Sequence, residues 1–402
     1  MVKLSLLLGG VTLVWGKANG MIGDSNFEAQ RKEVSRVVQD SYIVSAKVDD
    51  AAACDILRNN IRQIQGKMIG LNANTTLKSA RIKSNCFVRF SGPSAILPRI
   101  RLMQGVSDVS PEQFVYAAQG PMSWGLDRID QYSLPLNNLP FRSTHTGKGV
   151  TVYILDTGVR KSHREFSNRV KTGASFVNGE TADFDGNGHG THCAGIATGT
   201  KYGVAKEATV IGVKVLSSSG GGTNYGVIEG VEWATNHAKS AGTVGVISMS
   251  LGGGKNAGIN AAVEAAADEG MLVIVAAGND NHNACYYSPA SAGGKVVTVG
   301  STTKNDGRSW FSNHGSCVDI FAPGSDIISS WKDSDTSTNT ISGTSMATPF
   351  VAGVAATLLE KYNFDSDAAR WELLAYTANN KISNVMTGSP NKLLQRSRCL
   401  LY

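Results

Sequence analysis

Charged side chains are scarce in this chain: only 17% of its 402 residues are Asp, Glu, Lys or Arg. That excludes the charge-rich, core-poor compositions that stay disordered, and 42% apolar residues can fill a large core. Six cysteines are too few for a disulfide scaffold of this length. The sequence has no low-complexity tail and no convincing internal repeat. Beyond Trp15 no apolar run approaches the roughly 18 residues of a membrane span, so no membrane partner is expected. Clustered positive charge is missing too. The formal net charge is +6, yet residues 1–116 hold 15 basic and 9 acidic side chains while the rest holds 23 of each. A body without net charge argues against a phosphate-binding surface, so no nucleic-acid partner is expected.

Glycine is abundant, at 45 residues, which suits a packed chain with many tight turns. The length is comfortable for two domains. Residues 1–18 read as a signal peptide: Lys3 precedes an apolar stretch from Leu4 to Trp15, then the small residues Gly16 and Ala18. A buried N-terminal strand is the alternative. Residues 41–118 look like a small α/β unit. In it "SYIVSAKV" alternates as a strand does, and "DDAAACDILRNNIRQIQG" has helical spacing up to Gly66. "NCFVRFSG" is a second strand, "SAILPRIRLMQG" a short helix with Pro98 in its first turn, and "EQFVYAAQ" a final extended segment.

From about residue 149 the runs "VTVYIL", "TVIGVKVL", "VGVISMSL", "MLVIVAAG" and "KVVTVG" are near-continuously apolar, as strands covered on both faces should be. Helical patterns alternate with them in "NYGVIEGVEWATNHAKSAG" and "GINAAVEAAADEG", and "TSMATPFVAGVAATLLEKY" follows. The predicted class is α/β, a mostly parallel sheet sandwiched by helices, with its site beyond the carboxyl ends of the strands.

Three segments carry candidate chemistry. Asp156 in "YILDTGVRKSHREF" directly follows an apolar strand, though an Asp before Gly158 could simply cap a turn. His189 in "DGNGHGTHCAG" lies between two glycines that leave its ring accessible. His192, three residues on, could suggest a zinc pair, but the zinc-protease motif needs four-residue spacing and an adjacent Glu. His192 therefore reads as a buried, hydrogen-bonded histidine. Ser345 in "SGTSMATPFVAG" opens a long apolar helix, where a serine is usually only a cap. A helix N-terminus also favours developing negative charge. Pro349 is placed in the first turn, which lacks internal N–H partners anyway. "SLGGGKN" is not a phosphate loop, because Asn256 rather than a hydroxyl residue follows Lys255.

The runs "WGLDRIDQ", "DTGVRKSHREF", "GHGTHCAG", "MSLGGG", "AAGNDN", "YYSPAS", "FSNHGSCVDIFAPG" and "SGTSMATP" together resemble the subtilases, within them the proteinase K and aqualysin branch. The resemblance covers residues 117 to about 395, and the order Asp, His, Ser is the one subtilisins use. It implies a serine endopeptidase of broad specificity acting on polypeptides, needing no catalytic cofactor and expected to be monomeric and secreted. Ser345 is the implied nucleophile, His189 the base and Asp156 the group that orients it. Asn279 and the Ser345 N–H are the implied oxyanion donors. Gly220, Gly221 and Gly222, facing Ser250, Leu251 and Gly252, are the implied edges that clamp an extended peptide. Ala276, Ala277 and Gly278 are the implied lining of a broad pocket for apolar or aromatic side chains. A silent binding protein would be expected to lack one of these groups, and an esterase to carry G-x-S-x-G where this chain has "GTSMA".

The same resemblance implies structural calcium (Ca2+), with Asp319 at one site and Asp127, Asp130, Gln131 and Asn137 at another. It implies a disulfide between Cys285 and Cys317 and a free, buried Cys193 near His189. Cys54, Cys86 and Cys399 have no implied pairing. The family usually has His where Phe350 stands, outside the implied triad. Residues 19–116, with a core from about 41, resemble a ferredoxin-like propeptide that assists folding and then inhibits its own enzyme. "FVY-AAQGPMSWGL" resembles a maturation junction, which places cleavage between Tyr116 and Ala117 and the catalytic domain at 117–402.

Overall fold

The computed structural model describes residues 37–69, 77–113 and 123–396. Residues 1–18, the Tyr116–Ala117 junction and Cys399 lie outside them. The chain divides between Ala117 and Ala118 into two compact units.

The first unit runs β1 (Val37–Lys47), α1 (Ala51–Ile69), β2 (Lys78–Ile82), β3 (Asn85–Ser91), α2 (Leu97–Arg101) and β4 (Val106–Gln113). Its sheet is antiparallel in the order β2-β3-β1-β4, a ferredoxin-like βαββαβ arrangement. Cys86, Val88 and Phe90 turn inward at every second position of β3. Cys54, Leu57 and Ile61 do so at helical spacing on α1. A Cys54–Cys86 disulfide joins that helix to that strand, a pairing no local pattern specified. The last strand begins at Val106, earlier than the expected "EQFVYAAQ" segment. Pro98 does lie in the first turn of α2.

The second unit opens with α3 (Trp124–Ile129), β5 (Thr151–Asp156), β6 (Val170–Ser175), α4 (His189–Thr198), β7 (Thr209–Lys214) and α5 (Asn224–Ser240). Then come β8 (Gly245–Met249), β9 (Gly253–Gly254), α6 (Ala257–Asp268), β10 (Leu272–Ala276), β11 (Tyr287–Ser288) and β12 (Val297–Thr302). The chain closes with β13 (Ile320–Pro323), β14 (Ile327–Ser330), β15 (Thr338–Ile341), α7 (Thr344–Lys361), α8 (Ser366–Ala375), β16 (Thr377–Asn379) and β17 (Lys392–Leu394). The main sheet has the order β16-β17-β13-β12-β10-β8-β5-β7-β6. It is parallel except for the β16–β17 pair.

The five apolar runs become β5, β7, β8, β10 and β12. Successive side chains of β5 explain why they are apolar throughout. Val152 and Ile154 pack with α4 and α7 on one face, while Tyr153 and Leu155 pack with α5 and α6 on the other. Two hydrogen-bonded caps start the latter helices, Thr223 accepting from Gly226 N and Asn256 from Ile259 N. No helix among the described residues is long and apolar enough to cross a membrane.

Phe350 is fully buried in α7. Its ring lies 2.4 Å from where a Cβ on Gly125 would sit, so the glycine of "WGLDRI" makes room for it. Phe350→Ala should therefore cost about 3–5 kcal/mol, the usual price of emptying a buried aromatic site. Urea denaturation followed by fluorescence checks this; a loss below about 1 kcal/mol would show that the site collapses around the smaller residue.

Candidate active site

Asp156 ends β5, where parallel strands present their carboxyl ends, and pairs in register with Lys214 at the end of β7. Its side chain has no exposed surface. Its Oδ1 accepts from Thr157 N at 2.7 Å. His189 begins α4, and its Nδ1 lies 2.8 and 3.0 Å from the two Asp156 carboxylate oxygens. Burial opposes the imidazolium, but the Asp156 carboxylate first and Cys193 after it outweigh burial and hold the histidine pKa well above its ordinary 6.5.

The glycines around His189 do more than expose its ring. Gly188 has φ 104°, and a Cβ there would meet the Trp331 ring at 2.7 Å. A Cβ on Gly190 would lie 2.1 Å from Gly158 O. Gly190 permits the close backbone approach that sets the helix start against the chain just after β5, and Gly188 makes room for the Trp331 ring. His192 is buried with Nε2 donating to the carbonyls of Ile327 and Asn339, and burial lowers its pKa to about 4. Cys193 is a free, buried thiol. Burial raises its pKa, so it stays protonated 3.9 Å from His189 Nδ1.

Ser345 is the second residue of α7. Its Oγ donates to Ser250 O at 3.2 Å, and among the described contacts it makes no hydrogen bond to His189. Hydroxyl–imidazole bonds in resting sites are often long and close only around substrate. Pro349 is not in the first turn but inside the helix. A proline there removes the N–H that would reach the carbonyl four residues back, which is Ser345 O. That freed carbonyl accepts instead from Ser250 Oγ at 2.8 Å and Cys193 Sγ at 3.4 Å. The Ser345 backbone is thus tied to a neighbouring loop and to the His189 helix.

Asn279 Oδ1 accepts from Thr344 N at 2.8 Å and Thr344 Oγ1 at 3.0 Å. With its oxygen occupied, Nδ2 is the end left to donate. Thr344 is a residue that sequence reasoning missed; its hydroxyl immediately before Ser345 was the available signal. Asn279 and Ser345 line a cavity of about 400 Å³ with Ser250, Leu251, Gly252, Ala276, Ala277 and Gly278. A second cavity of about 470 Å³ is lined by His189, Gly220, Gly221 and Gly222, and again by Ser250, Leu251 and Gly252. The structure therefore brings the expected binding residues to two cavities that share one edge.

Cys285 and Cys317 are joined in a disulfide. The residues expected to hold calcium fare unevenly. Asp127 is buried, with Oδ2 accepting from Asn138 N and Oδ1 lacking a partner among the described residues. That orphaned oxygen fits a cation. Gln131 Oε1 accepts from Asn137 N, and Asn137 Oδ1 from Leu139 N. Asp130 Oδ1 accepts from Arg396. Asp319 accepts from Thr298 N, and burial raises its pKa.

Comparison with known proteins follows this geometry. The Subtilase family model matches residues 147–393. An extracellular serine proteinase of Thermus sp. (strain Rt41A) is 47% identical over 306 residues, 75% of this chain and 73% of that protein. A cuticle-degrading serine protease of Arthrobotrys oligospora is 39% identical over 374 residues, 89% of this chain and 90% of that one. The crystal structure of a cold adapted subtilisin-like serine proteinase superposes with a TM-score of 0.66 at 48% identity, covering 69% of this chain and 99% of its own. Since the family match runs from Gly147 to Leu393, through every segment that carries Asp156, His189, Asn279 and Ser345, this chain belongs to the subtilase family of serine proteases.

Proposed function

We propose that the chain is a secreted endopeptidase that cuts polypeptides through Asp156, His189 and Ser345. The observation that carries this reading is the contact of His189 Nδ1 with both oxygens of the buried Asp156 carboxylate, with His189 lining one cavity and Ser345 and Asn279 lining the adjoining one. Substrate entering the cleft draws the Ser345 hydroxyl from Ser250 O towards His189 Nε2. The imidazole takes the Oγ proton as Oγ bonds to the scissile carbonyl carbon. The carbonyl electron pair moves onto oxygen, where Asn279 Nδ2 and the Ser345 N–H donate to it. Asp156 stabilises the imidazolium, which then gives its proton to the leaving amine as the C–N bond breaks. Water, deprotonated by the same imidazole, releases the acyl group and restores Ser345.

The smallness of Ala276, Ala277 and Gly278 favours broad acceptance of apolar or aromatic side chains. Residues 19–116 act as a propeptide, released by cutting between Tyr116 and Ala117. The ferredoxin-like first unit and the extracellular names of relatives such as the Thermus proteinase support this reading. Calcium, where bound, supplies structural cross-linking; Asp127 with Gln131, and separately Asp319, are the residues to hold it.

Ser345→Ala should abolish fluorophosphonate labelling and leave an uncut precursor, whereas the active chain should begin at Ala117. N-terminal sequencing reads the second point, and a start within residues 125–150 would contradict it. Asn279→Ala should lower kcat about 100- to 1000-fold, a magnitude carried over from a subtilisin. Because only neutral imidazole accepts the proton and its pKa is raised, kcat/KM should climb with pH through a value above 6.5; an acid limb below 6.5 would remove Asp156 as the cause. Chelation should lower the melting temperature, and Asp127→Asn should blunt that response. Equal responses in both proteins would exclude Asp127 as a ligand.

A further inference from the structure

Asp185 is a buried carboxylate to which the mechanism above gives no role. Its Oδ1 accepts from Thr157 Oγ1 at 2.9 Å, Asn187 N at 3.1 Å and Gly188 N at 2.8 Å. Its Oδ2 accepts from Thr191 N at 2.9 Å and Thr191 Oγ1 at 2.6 Å. All the donors come from two places: the residue after Asp156, and the loop and first turn that carry His189. Thr157 completes the circuit. Its Oγ1 accepts from Gly190 N at 3.0 Å, its N–H donates to Asp156 Oδ1, and its carbonyl accepts from the buried Lys214 Nζ at 2.5 Å.

Backbone N–H groups on both sides of His189 are thereby tied, directly or through one hydroxyl, to the residue that holds Asp156. The fit is that of an anion. Both oxygens only accept, they face the N-terminal turn of a ten-residue helix, and charge-assisted bonds there are short and strong. An amide at this position would set its own N–H groups against either the Gly188 or the Thr191 N–H.

We propose that Asp185 is a positioning residue for peptide hydrolysis: through Thr157 and the first turn of α4 it fixes the His189 imidazole against the Asp156 carboxylate. This rests on the reading of Asp156, His189 and Ser345 as the reacting groups. A misplacement of about 1 Å in such an arrangement costs on the order of 100-fold in rate. The loss falls on the chemical step, because Asp185 lines neither the cavity beside Ser345 nor the one beside His189. The titratable groups around the imidazole are Asp156 on β5 and His192 and Cys193 on its own helix. With burial favouring the neutral forms of the latter two, the Asp156 contact sets the acid limb.

The test uses the full chain, matured and titrated with a fluorophosphonate, in Asp185→Asn, Thr157→Val, Thr157→Ser and the Asp185→Asn/Thr157→Val double variant. Asp185→Asn and Thr157→Val should each lower kcat about 10- to 100-fold and move the acid limb to lower pH, and Asp185→Asn should leave KM within about 3-fold; Thr157 lines the cavity beside His189, so KM is read on Asp185→Asn alone. Thr157→Ser, which keeps the hydroxyl, should retain both kcat and the limb. The double variant should be little worse than the poorer single one, as for residues acting in one network. Wild-type kcat and limb in Asp185→Asn overturn the inference whatever happens to its melting temperature, as do multiplicative losses in the double variant. If Asp185→Asn is not recovered folded, the Thr157 pair decides alone, and a wild-type profile in Thr157→Val overturns it. Ser345→Ala separates the two levels. Labelling that survives this change sinks the nucleophile assignment itself; labelling that vanishes while Asp185→Asn stays normal sinks only the role of Asp185.

Discussion

A carboxylate with no exposed surface must find its hydrogen bonds inside the protein, and Asp156 finds them in Thr157 N–H and the His189 imidazole. An unpaired buried charge is so costly that it would sooner take up a proton. The imidazole therefore does two things at once. It satisfies Asp156 in the resting state, and it stands ready to become the cation that Asp156 already favours. Everything around the pair serves to keep a strand end and a helix start within that reach. The covered parallel sheet delivers Asp156 at a strand terminus, and Gly190 lets the helix start approach Gly158 just beyond it without a side chain in the way.

The nucleophile is held by a second constraint, which begins with a missing donor. Pro349 cannot bond to Ser345 O, and an unsatisfied buried carbonyl would be expensive. Ser250 and Cys193 satisfy it, one from the substrate edge and one from the helix of the base. The helix that carries Ser345 is thereby registered against both partners of its chemistry. A helix without this proline would spend the same carbonyl on its own ladder.

What could be read in advance follows from the range of the interaction. Strands β5, β7, β8, β10 and β12 were legible because burial on both faces leaves continuous apolar runs. Strand β2 was not, since all five of its residues are exposed and no buried face leaves an apolar run. Asp156, His189 and Ser345 were legible because each sits in a short motif whose glycines and hydroxyl residues have local reasons to be there. The pairing of Asp130 with Arg396 joins residues 266 apart and leaves no local trace. The Cys54–Cys86 bond was hidden for the same reason. Pro349 was misplaced although the helix start at Thr344 was read correctly: the sixth residue of a helix lies past its first turn, so the lost bond it implies is a purely local matter.

Covalent connectivity bears on maturation as well. Of the two disulfides among the described residues, Cys54–Cys86 lies wholly in the first unit and Cys285–Cys317 wholly in the second. Each closes a loop of sequence separation 32, worth roughly 3–4 kcal/mol to its own unit in the chain-entropy picture. Neither ties one unit to the other. A cut between Tyr116 and Ala117 would therefore break the one covalent tie that these residues supply, while each unit keeps its own brace. The basic excess of the chain lies before that cut and the uncharged remainder after it, so what is left would be a catalytic body whose substrate edge consists of glycines and backbone. Such an edge recognises an extended peptide by its main chain, which every polypeptide has.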